Sequence, residues 1–88
     1  MQRVIASYSH YEVIKINKGY VVKDCCGSSE NHAHFDKEGG ALRALYLIKH
    51  RRYPKGAYMT KALIRVLGED ILSTYARPKR KEKYVNRR

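Results

Sequence analysis

Short runs of apolar residues between polar ones in the first third of the chain predict β-structure. Tyr11–Ile16 and residues 20–23 are rich in β-branched and aromatic side chains, which favour strands. Asn17, Lys18 and Gly19 lie between them, and the sequence predicts a three-residue hairpin loop with Gly19 in a left-handed conformation. An earlier strand over Arg3–Tyr8 would end near residues 9–10. Residues 24–30 have the composition of a loop, and residues 31–35 that of a short extended segment.

The spacing of apolar residues then changes to that of helices. Asp36 suits a helix N-cap, and the helix that follows it should run to about Arg52. Its apolar face is predicted to include positions 41, 42, 45 and 48, widened by 46 and 47. Pro54 separates it from a second helix that begins near residues 57–60, whose apolar residues at 59, 62, 63, 66 and 67 repeat with helical period. Gly68 would cap that helix, and a short third helix would carry Ile71, Leu72 and Tyr75.

These elements predict a small α+β fold: an N-terminal hairpin or small antiparallel sheet, a loop rich in Cys and His, and two or three packed helices. The 88 residues allow one domain, expected over residues 1–76, and the hydrophobic fraction of 43% fits a folded chain. Without an apolar run near the length of a membrane span or a signal-peptide core, the sequence predicts a soluble, intracellular protein.

Positive charge is concentrated at the C-terminal end. The formal net charge is +11, and residues 77–88 hold seven Lys or Arg against the single acid Glu82. Residues 1–76 hold twelve Lys or Arg and seven acids. A folded body with a basic, flexible tail is therefore predicted. Such charge attracts polyanions, so the expected partners are nucleic acid, a ribonucleoprotein or an acidic protein surface rather than a membrane or a small-molecule substrate.

Both cysteines and two of the four histidines lie within ten residues, as Cys25, Cys26, His32 and His34. Zinc prefers four N or S ligands, and two histidines two apart on an extended segment point to the same face. A structural Zn²⁺ site is therefore predicted on these residues, and it would stabilise a domain too small to hold a large core. His10, His50 and Asp36 are reserve ligands if only one cysteine takes part. The alternative is a buried Cys25 with both histidines hydrogen-bonded at a helix entry.

The sequence lacks the patterns that catalysis commonly requires. It has no Gly-rich phosphate loop, no nucleophile-elbow serine and no zinc-deaminase pattern, and Glu30 is the only carboxylate placed to assist a metal-bound water. A non-enzymatic protein is therefore expected, with no catalytic residues.

Two basic clusters with nearby tyrosines are the candidate binding surface. Helix C-termini favour cations, which gives the first cluster an ordinary structural role as well. A charge run such as the second stays without regular structure until it meets a partner, although it could also serve only solubility. The candidate residues for a partner or nucleic acid are Lys49, Arg51, Arg52, Tyr53, Lys55, Tyr58, Arg77, Lys79, Arg80, Lys81, Lys83, Arg87 and Arg88.

The stretch Glu-Asn-His-Ala-His-Phe at residues 30–35, followed by a helix, Pro54 and the Tyr58-Met59 pair, resembles small basic proteins from phages and prophages of Firmicutes. The similarity covers about residues 11–72. Some phage proteins of this size are anti-CRISPRs, and the resemblance implies an inhibitor that binds the type II CRISPR effector nuclease and blocks its engagement of target DNA. It would act in the cytoplasm of an infected bacterial host. The cysteine pair and the basic tail do not belong to that pattern.

Two functional hypotheses follow from the sequence. The first is a non-enzymatic phage inhibitor that docks on a host nucleic-acid-handling protein such as the CRISPR effector. The second is a small DNA- or RNA-binding accessory protein that holds phosphates through the tail and the Lys49–Lys55 cluster, by charge and shape rather than by reading bases. Composition favours the second hypothesis, and the resemblance favours the first.

Overall fold

The computed structural model describes residues 2–26 and 31–77, and it confirms the predicted α+β class. An antiparallel sheet is followed by three helices, and both the early strand and the short third helix are present. The elements in chain order are β1 (Arg3–Tyr8), β2 (Tyr11–Ile16), β3 (Gly19–Asp24), β4 (His32–Phe35), α1 (Glu38–His50), α2 (Ala57–Leu67) and α3 (Glu69–Leu72).

The four strands form a meander in the order β1-β2-β3-β4, with every neighbouring pair antiparallel. Val13 pairs with Val22, which in turn pairs with Ala33, so these side chains lie in one row across the sheet. All three are buried in the main hydrophobic cluster with residues of the helices. The adjacent row, which includes Ile14 and Val21, lies on the opposite face because side chains alternate along each strand.

The hairpin between β2 and β3 is tighter than the sequence predicts. Ile16 pairs with Gly19, so the loop has two residues, Asn17 and Lys18, rather than three. Gly19 has a φ of 133°, a positive value but outside the left-handed helical region that we expected. An added Cβ on Gly19 would lie 2.5 Å from the carbonyl oxygen of Phe35 on the adjoining strand. Both the backbone angle and this close approach require glycine at this position.

Helix α1 is shorter than predicted at both ends. Its N-cap is Lys37 rather than Asp36, and no side chain caps the first turn. At the other end His50 is the last helical residue, because Arg51 takes a left-handed conformation (φ 54°, ψ 49°) that turns the chain before Arg52. The predicted apolar face is also partly wrong, since Leu42 and Tyr46 are exposed and residue 44 is buried instead.

Helix α2 follows the prediction closely, whereas α3 ends at Leu72 and so does not include Tyr75 as predicted. Gly68 ends α2, and its N–H donates to the carbonyl oxygen of Ile64 at 2.8 Å. Leu63, Val66 and Leu72 are almost completely buried, and they join the sheet row and α1 in one cluster that ends at Tyr75. Ile71, one of the apolar residues predicted on the short third helix, is exposed. Among the described residues, no helix has the length and apolar character needed to cross a membrane.

Candidate functional site

A short β-bridge joins two segments that are distant in sequence, and its residues line the candidate site. The N–H of Tyr53 donates to the carbonyl oxygen of Ala76 at 2.8 Å, and the N–H of Ala76 donates to the carbonyl oxygen of Arg51 at 3.0 Å. Arg52 and Ala76 thus form a parallel bridge outside the main sheet. It fixes the link between α1 and α2 against the chain that follows α3, and it places Arg77 beside that link.

The concave surface at this junction has a volume of about 720 Å³ and is called the basic groove below. One wall comes from the exposed side of α1. The other comes from the link between α1 and α2 and from Arg77, which follows the bridge. The side chains that carry charge or an aromatic ring in its lining are Arg43, Tyr46, His50, Arg52, Tyr53, Lys55 and Arg77.

The charge of the basic groove is uncompensated within the described residues. Its lining holds four Lys or Arg side chains and one histidine, but no Asp or Glu. Two of the three arginines lie over tyrosine rings: Arg77 is 3.9 Å from the ring centre of Tyr53, and Arg43 is 5.8 Å from that of Tyr46. A concave surface with charges of one sign concentrates the electrostatic field, so the groove is suited to bind an anion.

The first turn of α2 adds to this positive potential. Gly56, its N-cap, lies in the groove lining, and no side chain caps the N–H groups of the turn. The Thr60 hydroxyl does not accept from these N–H groups but donates to the Gly56 carbonyl oxygen at 2.8 Å. A helix N-terminus carries a partial positive charge, which here lies beside Lys55.

Only some of the residues predicted to bind a partner lie together in the structure. Arg52, Tyr53, Lys55 and Arg77 come together in the basic groove, although Arg77 is distant in sequence from the other three. The remaining tail candidates, Lys79, Arg80, Lys81, Lys83, Arg87 and Arg88, lie outside the described residues.

Three other candidates from the folded part do not line the basic groove. Lys49 lies over the ring of Tyr8, 6.0 Å from its centre. Arg51 is close enough to Tyr75 for its charge to act on the pKa of that phenol. Tyr58 is 63% exposed at the edge of β4, where its hydroxyl donates to the carbonyl oxygen of His34 at 3.5 Å.

Sequence reasoning missed the wall of the groove that α1 provides. Arg43, Tyr46 and His50 share one side of the helix, and the rings of Tyr46 and His50 are 4.4 Å apart. Their spacing of three and then four residues was visible in the sequence. Because the sequence predicts Tyr46 on the apolar face, its position between Arg43 and His50 on one exposed side of α1 was not recognised.

The predicted zinc ligands are only partly brought together. His32 and His34 point to the same face of β4 as expected, with ring centres 5.1 Å apart, and they border a second pocket of about 260 Å³. Cys25 and Cys26 are free and exposed. Partial loss of water contact and then a hydrogen bond with Glu12 raise the pKa of the Cys25 thiol, which disfavours the thiolate that binds metal.

No group of three potential ligands is positioned for a metal ion within residues 2–26 and 31–77. Of the reserve ligands, His10 lies 3.5 Å from a carboxylate oxygen of Asp24, and His50 belongs to the basic groove. Glu30 lies outside the described residues. Structural zinc on Cys25, Cys26, His32 and His34 therefore stays a prediction.

Comparison with models of known protein families, with curated proteins and with solved structures found no match to this chain. The function must therefore be inferred from the residues and their geometry.

Proposed function

We propose that this chain is a small, non-enzymatic nucleic-acid-binding protein that holds phosphates in the basic groove. The observation that carries the proposal is the lining of that groove, which combines four Lys or Arg side chains with two tyrosines and contains no carboxylate among the described residues. Phosphate contacts from Lys and Arg supply most of the affinity in binding that does not depend on base sequence.

The arrangement of the arginines supports phosphate as the ligand. Arg77 packs on the Tyr53 ring, which restricts its side chain and reduces the conformational entropy that binding would cost. A guanidinium offers paired N–H groups that match two phosphate oxygens. The guanidinium of Arg77 is therefore held in place before a ligand binds. A run of charged residues without regular structure, by contrast, has to be ordered by its partner.

Removing two groove cations tests the proposal. In Arg52→Gln/Lys55→Gln we expect weaker binding of a labelled oligonucleotide and a shallower dependence of affinity on salt, by about one unit of log–log slope per lost phosphate contact. Fluorescence anisotropy at several salt concentrations gives both quantities.

The matched control is Lys61→Gln/Arg65→Gln, which removes the same charge from exposed positions on α2 that do not line the groove. We expect this control to keep most of the wild-type affinity. Equal losses in the two double variants would mean that net charge alone drives binding, and the proposal would be wrong.

The inhibitor of a type II CRISPR effector remains a second hypothesis, based on the resemblance of residues 30–35 and 54–59 to phage proteins. Its test is cleavage of target DNA by the effector, with and without this protein. Inhibition that survives Arg52→Gln/Lys55→Gln would favour a protein partner bound elsewhere, whereas inhibition lost with oligonucleotide binding would favour competition for nucleic acid.

A further inference from the structure

We infer that the basic groove selects single-stranded nucleic acid over a duplex, with one unpaired base stacked on the ring of Tyr46. This inference rests on the proposed function and specifies its ligand. Three features of the groove support it: its concave shape, the exposure of one of its tyrosines, and the guanidinium of Arg43 beside that ring.

The concave shape suits an unpaired strand. Proteins read duplex DNA by inserting a protruding helix or strand pair into a groove about 12 Å wide. Here the charged side chains line a depression, whose volume of about 720 Å³ lies within the range of pockets that enclose small organic ligands. A base swung out of a flexible single strand can enter such a depression, whereas paired bases in a duplex are held inside the helix.

Tyr46 is the more exposed of the two groove tyrosines, and Arg43 lies farther from its ring centre than Arg77 lies from that of Tyr53. The side chain of Tyr46 is 46% exposed, and it lies outside the hydrophobic cluster of the core. Tyr53, the other tyrosine of the groove, is half-buried and already covered by the guanidinium of Arg77 at 3.9 Å. An exposed tyrosine side chain with two side-chain torsions loses little conformational freedom when a base packs on it.

Arg43, beside the ring of Tyr46, places a positive charge where the backbone of a stacked nucleotide would run. Arg43 precedes Tyr46 by one helical turn, 5.8 Å from the ring centre, and His50 follows it by one turn, with ring centres 4.4 Å apart. Arg52 and Lys55 line the same groove. An acidic peptide would use these cations but gain much less from the ring, so the combination favours a ligand with both phosphates and flat aromatic bases.

The test compares ligands with equal phosphate numbers. The full-length protein is titrated near 0.15 M salt into labelled 24-nucleotide oligo-dT, 24-nucleotide oligo-U and a 12-base-pair duplex, with Tyr46→Ala and Tyr46→Phe as variants. We expect at least one single strand to bind several-fold more tightly than the duplex. Tyr46→Ala should weaken that binding about fivefold or more and leave the duplex affinity within twofold, and Tyr46→Phe should retain the preference because it keeps the ring.

Tyr46 lies outside the hydrophobic cluster of the core, so the alanine variant should fold, and circular dichroism verifies this. Duplex binding equal to or tighter than single-strand binding would overturn the inference, as would an unchanged single-strand affinity in Tyr46→Ala. If both ligands still respond to Arg52→Gln/Lys55→Gln, only the inference on strandedness fails. If neither ligand responds to that double variant, the proposed function fails as well.

Discussion

Gly39 and Gly40 are adjacent in the first turn of α1, yet their surroundings differ. A Cβ on Gly39 would meet no heavy atom within 4 Å, whereas one on Gly40 would lie 3.2 Å from a ring carbon of the buried Phe35. We expect Gly39→Ala to stabilise the fold by about 0.4–1 kcal/mol, because alanine restricts the unfolded chain and favours helix. Gly40→Ala should gain less or destabilise, since Phe35 would have to shift. Chemical denaturation of both variants measures the difference, and equal gains would show that Phe35 moves without cost.

Tyr75 should make the free energy of unfolding decrease as pH rises in the alkaline range. Burial is the main cause that raises the pKa of its phenol, and the charge of Arg51 opposes it. A raised pKa in the folded state means that the unfolded chain loses this proton first as pH rises. The contribution of the protonated Tyr75 phenol to the free energy of unfolding is therefore fully present at neutral pH and is lost from about pH 10 upward.

The variant Tyr75→Phe isolates this effect because it keeps the ring and removes the ionisable group. Near pH 7 we expect its unfolding free energy to lie close to that of the wild type. Between pH 9 and pH 11 the wild type should lose more stability than the variant, as measured by denaturant unfolding at each pH. Parallel pH profiles for the two proteins would contradict the prediction.

At the scale of elements, the β-bridge between Arg52 and Ala76 determines where the groove cations lie. In Ala76→Pro the N–H that donates to Arg51 is lost, while the net charge is unchanged. We expect a stability loss of about 1 kcal/mol and weaker oligonucleotide binding, because Arg77 would no longer be fixed beside Tyr53. Ala76→Ser keeps the N–H and serves as the control in denaturation and anisotropy. Unimpaired binding by the proline variant would mean that the bridge does not shape the binding surface.

The predicted zinc ligands lie in the loop that follows β3, as Cys25 and Cys26, and on β4, as His32 and His34. If zinc binds only the folded chain, chelation should lower the melting temperature by roughly 10 °C, the shift expected for a loss of about 2 kcal/mol in a domain of this size. His34→Ala should remove both the metal, as counted by native mass spectrometry, and the effect of the chelator, whereas His50→Ala should change neither. A metal-free native spectrum with an unchanged melting temperature would refute the site.

Local patterns predicted the elements well but could not predict how they meet. The helical spacing of the apolar residues at 59–67 predicted α2, and the β-branched residues in Tyr11–Ile16 predicted β2. Both predictions were possible because each signal is contained in neighbouring residues. The end of α1 was misplaced because Arg51 adopts a positive φ that only the packed chain imposes. The basic groove requires Arg52 and Ala76 to pair across α2 and α3, and such a long-range contact leaves no periodic trace in the sequence.

At the scale of the whole molecule, positive charge has two separate sources. Four Lys or Arg side chains line the basic groove, and residues 78–88 contain six more with one glutamate. Charge outside a specific site raises the association rate and the non-specific affinity for every polyanion. If the groove selects single strands as we propose, the ratio of single-strand to duplex affinity should depend on the groove, and the absolute affinity should combine both sources.

Two truncated chains separate these contributions. The main hydrophobic cluster ends at Tyr75, so chains that stop after Arg77 or after Ala76 keep every one of its buried residues. We expect the chain ending at Arg77 to bind more weakly than the full protein and with a shallower salt dependence, yet to keep its preference for the single strand. The chain ending at Ala76 should lose part of that preference as well, because it also lacks the guanidinium that covers Tyr53.

The comparison of these two chains is sharp because they differ by one residue, and anisotropy titrations with the same single strand and duplex measure it. If the preference disappears already in the chain ending at Arg77, selectivity belongs to the tail and the basic groove is a secondary contact. If both chains keep the full preference, Arg77 only adds charge, and the remaining cations Arg43, Arg52 and Lys55 with Tyr46 are sufficient to distinguish an unpaired strand.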